Sequence, residues 1–414
     1  MSAFPHPALE RTASKSQEPV PTRTGYNLAI GYLRTWTVIM VLAYHTALAY
    51  VPGPRVIAGP LTMRPRHWKA SAVMDPQRWS GFLIFREFND TYFMALLFFL
   101  SGLFVWNSLR RKGARVFLRD RMLRLGVPFL VGVAILAPLQ FYPAYAIRTS
   151  AATLMGFVRQ WLSLGEWPTG PVWFLWVLLA FDCAAAATFA VAPHLPDRLA
   201  EFCSDAKRHP ARLFLLLFVA SAAAYVPVEM LVGPDAWPSF GIFHFQASRF
   251  FHYAVYFSAG VGVGAYGLER GLLASDGELA RRWFRWVAAM VAAFALLIAF
   301  ALRQPLIVGT LTAVRPGFIG GVLFELSCAA SCFGYLALFV RFVKRRASIF
   351  DTLSDNEYGM YLIHRPIVSW LCYAMMALSI SAIDKFALVF IGVLLLSWGS
   401  SAAMRRIPAV ARII

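Results

Sequence analysis

An all-α polytopic membrane bundle of about ten transmembrane helices is the fold this sequence predicts, and three observations carry the prediction. Apolar residues make up 59% of the 414 and charged residues only 14%, with a mean hydropathy of +0.59, far from the usage of water-soluble domains. The apolar residues gather into runs of roughly 18 to 25, long enough to cross a hydrocarbon core of about 30 Å. Between the runs, Lys and Arg alternate in density, as they do when basic loops stay in the cytoplasm.

The chain opens with a polar stretch, Met1–Gly25, that carries Pro5, Pro7, Pro19 and Pro21 and lacks the apolar core of a signal peptide. Residues 1–25 therefore read as a disordered cytoplasmic tail, 26–406 as one transmembrane domain and 407–414 as a second short cytoplasmic tail. The first span, Leu28–Tyr50, contains Arg34 and His45, and the second, Thr91–Leu109, ends at the basic run Arg110–Lys112. Val127–Ala146 and Pro171–Ala192 follow, the latter with Asp182 well inside it. Next come Ala211–Val232 and Arg249–Leu268, with His244, Arg249 and His252 clustered where the sixth span begins and expected among lipid headgroups. Phe284–Leu302 follows Arg281–Arg282, and Gly317–Val340 carries Glu325, Cys328 and Cys332. Beyond the run Lys344–Arg346, Tyr358–Leu378 and Phe386–Met404 complete ten. Ala274–Leu279 and Ser348–Glu357 read as connecting loops.

With the N-terminus inside, the cytoplasmic loops and both tails, counted with the span ends beside them (Arg212 and Arg285), hold 25 of the 39 Lys and Arg residues, and the outside loops, counted likewise with Arg249, hold 12. Six of those twelve crowd into the first outside loop, Val51–Phe88, as Arg55, Arg64, Arg66, Lys69, Arg78 and Arg86, against the general trend. Trp68 and Trp79 among them suit either an acceptor or a headgroup surface. The net charge of +18 is thus mostly a topology signal facing membrane lipids, and without a soluble basic domain no nucleic-acid partner is expected. The five cysteines are scattered, with no zinc-like spacing, so no metal is expected. Cys328 and Cys332, one turn apart, read as small packing residues.

Function in such a chain sits where polarity is expensive, inside the spans. Arg34 and His45 are eleven residues apart, three turns plus about 20°, so they project from one helix face roughly 16 Å apart along the axis. A cation near the inner surface could hold an anionic donor, while a histidine near the outer surface could act as base or nucleophile. The alternative is an arginine snorkelling to the interface and a histidine in a loop contact. Asp182 and Glu325 should face the bundle interior. Tyr361 and His364 share one face of the ninth span, where hydrogen bonding between helices is the plain account, and Ser101–Gly102 allow close helix packing.

Five motifs resemble those of the membrane acyltransferase-3 family. They are Tyr32-Leu33-Arg34 with His45, Phe98-Phe99-Leu100-Ser101-Gly102, and the basic stretch Phe117-Leu118-Arg119-Asp120-Arg121-Met122-Leu123-Arg124 with Pro128. Gly170-Pro171-Val172-Trp173-Phe174-Leu175 and Tyr358-Gly359-Met360-Tyr361-Leu362-Ile363-His364 complete the set. Phe93–Phe99 and its neighbours are most similar to the glucan-modifying branch that attaches succinyl groups. The acidic residue that often precedes the first-helix arginine in relatives is absent here, which leaves the partner of Arg34 open.

The resemblance implies an O-acyltransferase of a bacterial inner membrane that moves an acyl group from cytoplasmic acyl-coenzyme A to a hydroxyl of an extracytoplasmic glycan. On this reading Arg34, Arg121 and Arg124 bind the donor's phosphates, His45 is catalytic with Arg34 assisting, and no cofactor is permanently bound. Glu87, Asp90, Glu166 and Glu229 are the carboxylates available to orient His45. The competing class is a ten-helix transporter or flippase without acyl-transfer activity.

Overall fold

A computed structural model describes residues 27–52, 72–165, 167–303 and 317–414, and the points about Met1–Gly25, Arg55 to Lys69 and Glu166 lie outside them. Within these residues the chain is almost wholly helical, apart from a small antiparallel hairpin of β1 (Ser239–Phe240) and β2 (Phe243–His244).

The Asn27 side chain accepts from the Ile30 N–H and caps α1 (Leu28–Ala47). After α2 (Gly81–Gly102), three segments, α3 (Val105–Arg121), α4 (Val127–Val131) and α5 (Ala137–Arg148), join through π-helical turns into one helix of 44 residues. Gly113, at φ +73°, breaks its regular geometry within the basic stretch, a conformation favouring glycine. The short α6 (Leu154–Ser163) precedes α7 (Trp173–Val191), and α8 (Leu195–Ser204) precedes α9 (Pro210–Val232) and α10 (Phe250–Tyr266). One turn, α11 (Glu278–Arg281), leads to α12 (Trp283–Leu302), α13 (Phe318–Phe342), α14 (Ser348–Met375), α15 (Ala382–Met404) and a final turn, α16 (Pro408–Ala411).

Six of these helices are long and apolar enough to cross a membrane: Val105–Arg148, Gly170–Val191, Pro210–Val232, Trp283–Leu302, Phe318–Phe342 and Ala382–Met404. With α1, α2, α10 and α14 packed among them, the described residues form a bundle of ten long helices, consistent with the all-α membrane bundle the sequence predicts. The outer helices present large apolar side chains outward, among them Val291, Leu296, Leu388 and Leu395, where lipid tails satisfy them. The inner helices carry the polar groups. Gly102 faces the Phe257 carbonyl, Gly260 that of Phe99 and Gly264 that of Leu103, so any Cβ there would collide with backbone. The Ser101–Gly102 pair thus does sit where α2 and α10 pack closest.

Two boundaries differ from the sequence reading. The second span begins at Gly81, so Arg86 belongs to a helix and is buried beside Glu87, not in the first outside loop. The ninth begins at Ser348, making the expected loop Ser348–Glu357 three turns of helix. Both additions carry charged residues, which lower their hydropathy. The first loop is also pinned down. Asp75 from that loop and Lys385 of α15 form a fully buried ion pair at 2.8 Å.

Candidate active site

The site begins with the contact between α1 and α14. Tyr32 donates to Asp351 at 2.7 Å, and Thr35 donates to Glu357, also at 2.7 Å. Further along, His45 Nδ1 lies 2.8 Å from His364 Nε2. The paired residue numbers rise together on both helices, so α1 and α14 run parallel, joined by polar contacts from one end to the other. Glu357 also forms an ion pair with Arg34, which supplies the partner left open by the missing acidic residue on α1. Its carboxylate is buried at 5% exposure, while the Arg34 side chain keeps 43% and turns its free edge outward.

That edge lines a cavity of about 1270 Å³ at the Arg34 end of the bundle. Arg121 and Arg124 line it too, as expected, together with Arg111, Lys112, Arg270 and Arg412, against only two carboxylates, Asp120 and Glu269. Arg412 reaches it from the segment 407–414. Arg121 is fixed from behind: its Nε lies 3.2 Å from the buried Asp182, and its guanidinium stands over the Phe117 ring at 5.0 Å. Asp182 therefore faces the interior, as a charge inside a span must. A cavity of this size with a strong excess of guanidinium groups suits a large polyanion, since each planar fork can donate two hydrogen bonds to a phosphate.

At the other end of α1 the hydrogen-bond directions can be worked out. His364 Nδ1 is 2.6 Å from the Tyr361 carbonyl, which can only accept, so Nδ1 carries the proton and Nε2 offers a lone pair. His45 then donates from Nδ1 into that lone pair, which in the neutral ring leaves its own Nε2 unprotonated. The rings stack with centroids 5.0 Å apart. His364 is fully buried, whereas His45 is partly accessible. The pair is therefore a neutral relay that presents one basic nitrogen, which is what a general base requires.

Among the described residues the orienting group of His45 is thus a histidine, and Glu87, Asp90 and Glu229 are engaged elsewhere. Glu87 pairs with Arg86, Asp90 with Arg249 at 2.7 Å, and Glu229 accepts from the Gly317 N–H at 3.3 Å. Glu166 lies outside the described residues. In the sequence His364 stands six residues after the apparent start of its span at Tyr358, well short of the level of His45. The true start, ten residues earlier, puts it level with His45. Its presence in a Tyr-rich motif with Tyr361 three residues before it was the available signal.

All five motifs meet here. Tyr361 donates to the Pro171 carbonyl at 2.5 Å and packs edge-on against Phe174, whose ring meets Phe98 at 4.7 Å. Tyr358 donates to the Arg124 carbonyl. The basic stretch, the second helix and the Gly170–Leu175 segment thereby brace α14, which holds His364.

A second polar centre lies elsewhere. His252 Nδ1 is 2.8 Å from Glu325, both almost completely buried, and its Nε2 faces the Cys328 thiol at 3.9 Å. Arg249 is held by Asp90 and stands over Phe324 at 4.7 Å, while His244 Nε2 meets the Trp167 carbonyl at 2.8 Å. His244, Arg249 and His252 are therefore interior groups, not headgroup contacts, because each finds a partner on a neighbouring segment. Glu325 faces inward as expected. No cluster of three or more His, Cys, Asp or Glu side chains able to hold a metal occurs among the described residues.

The family model of the acyltransferase-3 acyltransferase domain matches residues 27–402, nearly the whole chain, and the protein belongs to that family. It is a membrane-bound acyltransferase of groups other than aminoacyl groups. No curated protein and no solved structure matches it.

Proposed function

We propose that this acyltransferase takes an acyl group from cytoplasmic acyl-coenzyme A and delivers it to a hydroxyl of an extracytoplasmic glycan. On this reading the basic cavity faces the cytoplasm, both termini lie there, and the protein resides in a bacterial inner membrane. The observation that carries the reading is that α1 has Arg34 in a polycationic cavity and His45 as a partly accessible base at its far end. Arg34, Arg121 and Arg124 bind the donor's phosphates, and its thin pantetheine arm runs along the α1 face for the roughly 16 Å to His45. Membership of an acyltransferase family weighs against the transporter alternative.

His45 Nε2 takes the proton of the acceptor hydroxyl as its oxygen attacks the thioester carbonyl. The tetrahedral intermediate collapses with loss of the C–S bond, and the proton on Nε2 passes to the departing coenzyme A thiolate, which yields ester and free thiol. During the step His45 Nδ1–H stays bonded to His364, which keeps the ring in the productive tautomer and orientation.

The test is mass spectrometry of surface and periplasmic glycans from a deletion strain complemented with wild type or with His45→Ala at equal membrane levels. An acyl mass increment that appears only with wild type is expected and names the group transferred. Equal glycan masses in both strains would overturn the assignment.

A further inference from the structure

We infer that Arg365 is a recognition residue for an anionic oxygen of the bound acyl thioester, held unpaired beside the His45–His364 pair until that oxygen arrives. This rests on the reading of the site as one that receives an acyl donor.

Arg365 follows His364 directly on α14 and is only 4% exposed, yet its Nε and Nη1 have no hydrogen-bond partner among the described residues. A guanidinium cannot shed its proton to escape burial, so an unpaired one in the interior is a standing cost unless a ligand offsets it. Among the described residues, three other buried cations are matched, whereas the half-buried Arg148 also keeps an Nε without a partner. Arg86 has Glu87, Arg249 has Asp90 and Lys385 has Asp75. The Arg365 guanidinium is close enough to act electrostatically on both imidazoles of the relay. Arg365 is also the residue next to His364 on α14, so an anion meeting it would lie within electrostatic reach of the pair.

Two sources can supply that oxygen. One is the terminal carboxylate of a dicarboxylic acyl chain, present in the ground state. The other is the thioester carbonyl oxygen as it becomes an oxyanion in the tetrahedral intermediate. Both need the same donor, a buried guanidinium with hydrogen bonds still to give.

Binding and turnover of succinyl-coenzyme A and butyryl-coenzyme A, which share chain length and differ in the terminal charge, distinguish the two. They would be measured on the full-length protein in nanodiscs, as wild type, Arg365→Gln and Arg365→Lys, with size-exclusion profile and melting temperature recorded for each. A carboxylate partner predicts that wild type binds the succinyl donor about 10- to 100-fold more tightly than the butyryl donor, with the preference lost in Arg365→Gln and partly restored in Arg365→Lys. An oxyanion partner predicts equal binding throughout and a similar fall in turnover for both donors in Arg365→Gln. If folded Arg365→Gln binds and turns over both donors as wild type does, the inference is wrong. If neither donor binds to wild type, the donor-site reading fails and the inference with it, whereas binding without turnover leaves the binding preference to decide. Should Arg365→Gln not fold, Arg365→Lys carries the test, because a point charge cannot reproduce the fork, and unchanged binding and turnover of both donors in it would overturn the inference.

Discussion

His45 is paired with another histidine, whereas His252, buried in the same bundle, is paired with a carboxylate. The His252 ring has Glu325 on one nitrogen and the Cys328 thiol facing the other, and it is almost completely sealed. The His45 ring gives one nitrogen to His364 and stays partly accessible. A carboxylate favours a charged imidazolium and closes the site electrostatically, while a neutral histidine fixes a tautomer without placing a countercharge beside the base. The first arrangement tethers α10 to α13. The second leaves a lone pair for chemistry. A buried ionisable residue in a membrane helix is thus a functional candidate only after its partners are known.

Substitutions can break this contrast, and the largest effect belongs at His45. His45→Ala should insert and fold normally yet lose about 10²- to 10⁴-fold in turnover, measured with radiolabelled acyl-coenzyme A in reconstituted membranes. Wild-type turnover would remove His45 from the chemistry. Next, His364→Phe fills the same space but accepts nothing from His45 Nδ1. Turnover should fall about 10- to 100-fold with the KM for donor nearly constant, the signature of an interaction used in the transition state. A rise in KM alone would instead make His364 part of the binding surface.

Arg34→Lys acts at the other end of α1. A point charge keeps attraction to Glu357 but loses the planar fork, so the donor KM should rise about tenfold with kcat within a few-fold of wild type. Unchanged donor affinity would separate the basic cavity from the donor. The smallest effect on catalysis should come from Glu325→Ala. Removing one partner of a buried pair costs about 3–5 kcal/mol of stability, visible as a lower melting temperature in detergent, while the protein that remains folded should turn over within about threefold of wild type. A loss of turnover as large as that of His364→Phe would erase the distinction between the two centres.

Much of this was legible in the sequence, for identifiable reasons. Arg34 and His45 lie on one helix, where a fixed 100° per residue makes their relation computable. The apolar runs announce α9, α12 and α15 because those helices meet lipid. His364, Glu357 and Glu325 resisted, because each meets its partner across a helix–helix contact, for His45 and His364 at a separation of 319 residues. The early starts of α2 and α14 were hidden by the charges that make them matter. Asp351 and Glu357 lower the hydropathy of Ser348–Glu357, yet they are the residues that fasten α14 to α1. Arg365 stood in plain view inside a span, but nothing in sequence says that a buried arginine lacks a counterion.

The central claim is that donor binding and acyl delivery occur at opposite ends of α1. Its most direct test uses proteoliposomes of uniform orientation, with the Arg34 end facing out and a glycan acceptor sealed inside. Radiolabelled acyl-coenzyme A would then be added either to the outside or to the lumen. The account predicts ester on the enclosed glycan when the donor is outside, none from luminal donor, and none in either case with His45→Ala. Transfer only when donor and acceptor share one compartment would contradict it.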